Sequence, residues 1–166
     1  MADKSTFTPE EWSQLQDSVM MSGMAVTAAE PSGVIDAVKE AFAMGGALGR
    51  VRNDATADPL VKAVVEDLAS SEGRKDMREE LRARLSGKKP PEIKAEAIAA
   101  LASAGALLDA KAPEDAPAFK AWLREVAQHV AEAGKEGGFL GFGGVRVSDA
   151  EKATLAEVSS ALRLTA

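Results

Sequence analysis

Gly134-Lys-Glu-Gly-Gly-Phe-Leu-Gly-Phe-Gly-Gly144 places six glycines in eleven positions, with Phe139, Leu140 and Phe142 among them. Its surroundings decide the fold class. Upstream, Phe119, Trp122, Leu123, Val126 and Val130 recur at helical spacing. Downstream, Ser148-Asp-Ala-Glu151 is a capping box, and it opens a stripe of Leu155, Val158 and Leu162. A glycine-rich phosphate cradle follows a strand and opens a helix, so that backbone N–H groups face the anion. This loop follows a helix, no G-x-x-x-x-G-K-[ST] is present, and the G-x-G-x-x-G begun at Gly141 ends on Arg146. The stretch therefore reads as an elbow joining two helices, with Phe139 and Phe142 plugged into a helical core.

The same grammar runs outward to the N-terminus. Thr8, Pro9 and Glu11 announce a first helix with N-cap, N1 proline and capping box. Trp12, Leu15, Val19 and Val26 form its stripe, while Met20, Met21 and Met24 make it apolar nearly all round, as in a central helix. Gly23 inside it predicts a neighbour packed close. Glu30-Pro-Ser-Gly33 breaks the pattern, and Ser32 caps a second helix carrying Ile35, Val38, Phe42, Leu48 and Val51. Gly45-Gly46 within it predicts a kink or a tight crossing. Asp58-Pro59 opens a third helix with Leu60, Val61, Val64, Val65 and Leu68 inside.

From Glu72 to Lys89 seven basic residues face four acidic ones around a seam of Met77, Leu81 and Leu85. Acids interleave with bases at i,i+4, so the segment reads as a solvated or partner-facing helix before it reads as a phosphate strip. Ser86-Gly-Lys-Lys-Pro-Pro91 is the clearest linker. Beyond it, a helix from Pro91 or Glu92 carries Ile93, Ala97, Leu101, Ala104 and Leu108, with Ala99, Ala100, Ala102 and Ala106 permitting close packing. Lys111 to Pro117 reads as a connection. His129, the single histidine, sits one turn from Glu125; that pair is a meagre ligand set for a transition metal.

At 166 residues, with about a fifth of them alanine and no tyrosine, the chain predicts one all-α domain. We expect a compact bundle of about seven helices, with pseudo-repeated halves at 1–87 and 90–166. Without cysteine, disulfides and thiolate chemistry are excluded. A net charge of −6 argues against nucleic acid as partner. No run reaches the ~20 apolar residues of a membrane span, and the start lacks a secretory signal, so a cytoplasmic location is expected.

The two helix–turn–helix units align once Phe139–Gly144 is set aside: Val26 with Val130, Ala29 with Ala133, Gly33 with Gly138, Glu40 with Glu151. Val130, Ala131, Ala133, Glu136 and Gly137, followed by Val147, Ser148, Glu151, Leu155 and Val158, resemble the tellurite-resistance TerB-like family of helical bacterial proteins. That resemblance implies a duplicated all-helical fold, a stress-linked cytoplasmic role and no enzyme activity. It also implies acidic metal-binding positions, which fall here on Glu30, Asp36 and Glu40 in one half and Glu136, Asp149 and Glu151 in the other. Oxygen ligands of this kind suit Ca²⁺ or Mg²⁺. The expected partners are accordingly a hard cation or another protein, and the alternative is an interaction module, a homodimer joined through Met77, Leu81 and Leu85.

Overall fold

A computed structural model of the protein describes residues 1–29, 34–70, 75, 79, 82–133 and 147–164, with 34–43 described as backbone. The first α-helix, α1 (Pro9–Thr27), starts where its capping chemistry places it. The Glu11 N–H donates to the Thr8 hydroxyl at 3.3 Å, and the Thr8 N–H donates to the Glu11 carboxylate at 2.8 Å. Phe7, just before the cap, packs on Trp12 one turn in, with ring centroids 6.1 Å apart. This hydrophobic staple fixes the angle at which the chain enters the helix.

α1 is central, as its all-round apolarity requires. Leu15, Val19, Met21 and Ala25 are fully buried. Two serines share that core and are bonded there, since a buried hydroxyl without a partner is costly. Ser18 donates to the Leu15 carbonyl at 2.6 Å, and Ser22 donates to the carbonyl of Leu123. Gly23 marks the predicted close approach: a Cβ there would fall 2.2 Å from Met44 Cε and 3.4 Å from Val130 Cγ2.

α2 (Val34–Asn53) is one continuous helix. Gly45 and Gly46 show no tight crossing, because both are exposed and an added Cβ would meet nothing within 4 Å among the described residues. Glycine costs about 1 kcal/mol against alanine inside a helix, and open space removes any steric objection. Gly45→Ala and Gly46→Ala should each stabilise the protein by roughly 0.5–1 kcal/mol in urea unfolding. Destabilisation by either would mean that something packs on this face.

α3 (Pro59–Ala69) is capped by Asp58, whose Oδ1 accepts the N–H groups of Leu60 and Val61 at 2.9 and 3.1 Å. Its five predicted inward residues are all buried. Residues 82–85 are helical, Gly87 turns at a φ of 75°, and α4 (Pro90–Lys111) follows at once. The basic strip is not wholly solvated. Arg84 turns inward to bridge Asp17 of α1 and Glu96 of α4, and Lys88 pairs with Glu96 as well. Leu85 is half-buried against this chain's own core, while Met77 and Leu81, the rest of the expected dimer seam, lie outside the described residues.

On α4, Ala97, Leu101, Ala104 and Leu108 face inward, and of the four alanines expected to allow close packing Ala100 is buried while Ala99, Ala102 and Ala106 are exposed; Gly105 lies close to the chain at Ala161 and Leu162. Pro117 is not in the connection. It occupies the first turn of α5 (Ala116–Ala133), where a missing N–H costs no intrahelical bond. The five predicted inward residues of α5 are buried. α6 (Asp149–Ala161) begins at the predicted capping box, with the Glu151 N–H donating to Ser148 Oγ at 3.1 Å. α1 packs chiefly on α4 and α5, so the two halves share one hydrophobic core and fold as an all-α bundle. No strand occurs among the described residues.

Candidate functional site

Of the six acidic residues proposed for a cation, the structure describes two side chains. Glu30 and Glu136 lie outside the described residues, as do the side chains of Asp36 and Glu40, and so do Phe139 and Phe142. The Glu151 carboxylate accepts the Ser148 N–H at 2.6 Å and is buried, so it is committed to starting α6. Asp149 is fully exposed and faces Lys152 at 3.4 Å. Among the described residues no group of three or more His, Asp or Glu side chains converges as a metal would need.

His129 has a different neighbour from the one its spacing suggested. Its Nδ1 lies 2.8 Å from the backbone carbonyl of Glu125, not from that residue's carboxylate. Its Nε2 meets Nη1 of Arg50 on α2. A guanidinium can only donate, so Nε2 is the acceptor of this contact and Nδ1 faces the Glu125 carbonyl as a donor. This contact ties α2 to α5 across the chain.

The Arg50–His129 contact stands at one end of a cleft of about 370 Å³ between α2, α3 and α5. Its apolar lining comes from Ala47, Val51, Val61, Ala121 and Val126, with Trp122 among them. Trp122 is 8% exposed and packs edge-on against Phe119, with centroids 5.6 Å apart and planes at 85°. Among the described residues its indole N–H meets no acceptor, unlike that of Trp12, which donates to Asp67 at 2.7 Å. Asp54 follows directly on the C-terminal end of α2, four residues beyond Arg50, and one turn back from His129 along α5 comes Glu125; both line the cleft, as does Asp58.

Charge is therefore divided along the slot. Two N–H and O–H donors from Thr56 reach Asp54 Oδ1 at 2.8 and 2.6 Å, and the Thr56 hydroxyl above all holds that carboxyl below its usual range. Asp58 carries its cap, while the Glu125 carboxylate and the Arg50 guanidinium form no ion pair among the described residues. The cleft thus has a cationic end, an anionic end and an apolar body. It falls in the size range of small-molecule sites, which combine apolar walls with a few convergent polar groups.

A larger groove of about 690 Å³ runs between α1 and α4, but it is more open to solvent, and in its wall Arg84 pairs with both Asp17 and Glu96. It reads as the seat of an ion-pair network that holds residues 82–88 against the bundle. Sequence reasoning singled out His129 and overlooked Arg50, whose place in the last turn of α2 looks like an ordinary complement to the helix dipole. No family model matches the chain, and neither a curated protein nor a solved structure matches it. Among the described residues no helix is long and apolar enough to cross a membrane.

Proposed function

We propose that this is a cytoplasmic, non-enzymatic binding protein, and that its ligand sits in the cleft between α2, α3 and α5. One observation carries the reading: an apolar cleft holds a guanidinium and a carboxylate without ion-pair partners, beside an indole N–H without an acceptor, among the described residues. Groups of this kind make their bonds with a ligand or with water, and a ligand that meets them gains both orientation and specificity. The TerB-like, stress-associated character belongs to the proposal through residues 130–158 of the sequence alone.

A thermal-shift screen of small metabolites on two proteins tests it, the wild type and Ala121→Trp. Ala121 is exposed on α5 and lines the cleft, so an indole there fills the slot without touching the core. A ligand at about a hundred times its Kd adds roughly 2.7 kcal/mol, or about 5–10 °C of Tm for a domain of this size. Shifts of that order are expected in the wild type and not in the variant. No stabilising compound, or equal shifts in both proteins, would remove the proposal.

A further inference from the structure

The geometry points to a short apolar peptide, a dipeptide with free ammonium and carboxylate ends, as the class of ligand the cleft takes; this rests on the binding reading above. The cleft is dipolar in a defined direction. Arg50 and His129 mark one level; Asp54, just past the C-terminal end of α2, and Glu125, one turn back along α5, mark the next. Residues one turn apart on a helix stand about 5–6 Å apart. Two extended residues span up to roughly 7 Å, whereas the charges of a single amino acid lie within one residue's length. A dipeptide therefore places its carboxylate at the Arg50 level and its ammonium between Asp54 and Glu125.

The remaining features fit the body of the same molecule. The Trp122 indole N–H supplies a donor for a ligand carbonyl or carboxylate, set among alanine and valine side chains of the lining. Val51, Val61 and Val126 offer apolar contact to branched side chains. A simple anion is disfavoured, because Asp54, Asp58 and Glu125 outnumber Arg50 around the cleft. A simple cation leaves the guanidinium and the indole N–H unused. Only a ligand bearing both charges answers every group.

Calorimetric titration of the full chain with leucyl-leucine, its N-acetyl derivative, its amide and free leucine tests the assignment. Leucyl-leucine should bind, and each of the other three should bind about tenfold or more weakly, since each forfeits a charge-assisted contact or the span between the two levels. Glu125→Gln should weaken leucyl-leucine similarly while leaving the N-acetyl derivative unchanged, and Arg50→Gln should weaken it while leaving the amide unchanged. Both residues are exposed, so both variants should keep the fold. Equal binding of the amide, the N-acetyl form or free leucine overturns the dipeptide assignment. If leucyl-leucine gives no heat while other compounds still act on the wild type and not on Ala121→Trp, the assignment falls and the cleft stands. Failure of both experiments removes both.

Discussion

Replacing Phe119 by alanine is expected to destabilise the protein by about 3–5 kcal/mol. Phe119 is fully buried on α5, where that helix meets the central core, and its ring stands edge-on to Trp122. Alanine removes the transfer free energy of a benzyl group and leaves a cavity that helices on every side cannot close. Against a total stability of roughly 5–15 kcal/mol, this is a large share. Urea unfolding with an unchanged m-value should show the loss as a lower midpoint. The same change withdraws the support beneath Trp122, so the variant should also lose the ligand-induced thermal shift. A cost below about 1 kcal/mol would mean that α5 is not packed as described.

Asp67→Ala is expected to cost about 2 kcal/mol. One carboxylate oxygen of Asp67 accepts from Lys4 at 2.7 Å, from the Trp12 indole at 2.7 Å and from Gln16 at 3.2 Å. It thereby ties the N-terminal turn and α1 to the end of α3. Trp12 is 3% exposed, so losing its acceptor strands a nearly buried N–H, which dominates the cost. The Lys4 pair is largely exposed and adds little. The bond from Lys4 above all, together with that from Trp12, lowers the Asp67 carboxyl below its ordinary value. A depressed folded-state pKa gives stability that is fully present above the unfolded value of about 3.9 and is lost as pH falls through the folded value. Acid titration of stability should therefore be steeper below about pH 4 in the wild type than in Asp67→Ala. Parallel curves would show that Asp67 titrates alike in the folded and unfolded chains.

The helices were legible because their signals are local. Thr8 with Glu11, Asp58 with Leu60 and Val61, and Ser148 with Glu151 each satisfy backbone groups within three residues, so the sequence contains the whole interaction. Large apolar residues on α3 and α5 declared their faces for the same reason. Alanine did not. A methyl group carries little periodic signal, and so the exposed Ala99, Ala102 and Ala106 could not be told from the buried Ala100. Gly45 and Gly46 show the same limit, since the space beside a helical glycine depends on elements elsewhere in the chain.

The candidate site was illegible because it is built by contact between distant segments. Arg50 and His129 stand 79 positions apart, and nothing in either local pattern announces the other. Likewise Arg84 read as one member of a basic strip until the fold brought Asp17 and Glu96 to it. Spacing correctly drew attention to His129 and Glu125, but it joined the ring to the carboxylate, whereas the bond is to the backbone carbonyl. That distinction leaves the Glu125 carboxylate for the cleft.

Heteronuclear NMR offers the most direct test of the cleft, because the chain has two tryptophans and only one lines it. On titration with leucyl-leucine the indole N–H resonance of Trp122 should move as it gains an acceptor, while that of Trp12, already bonded to Asp67, should stay in place. Movement of Trp12 alone, or of neither resonance under saturating peptide, would contradict the assignment of the cleft between α2, α3 and α5 as the binding site.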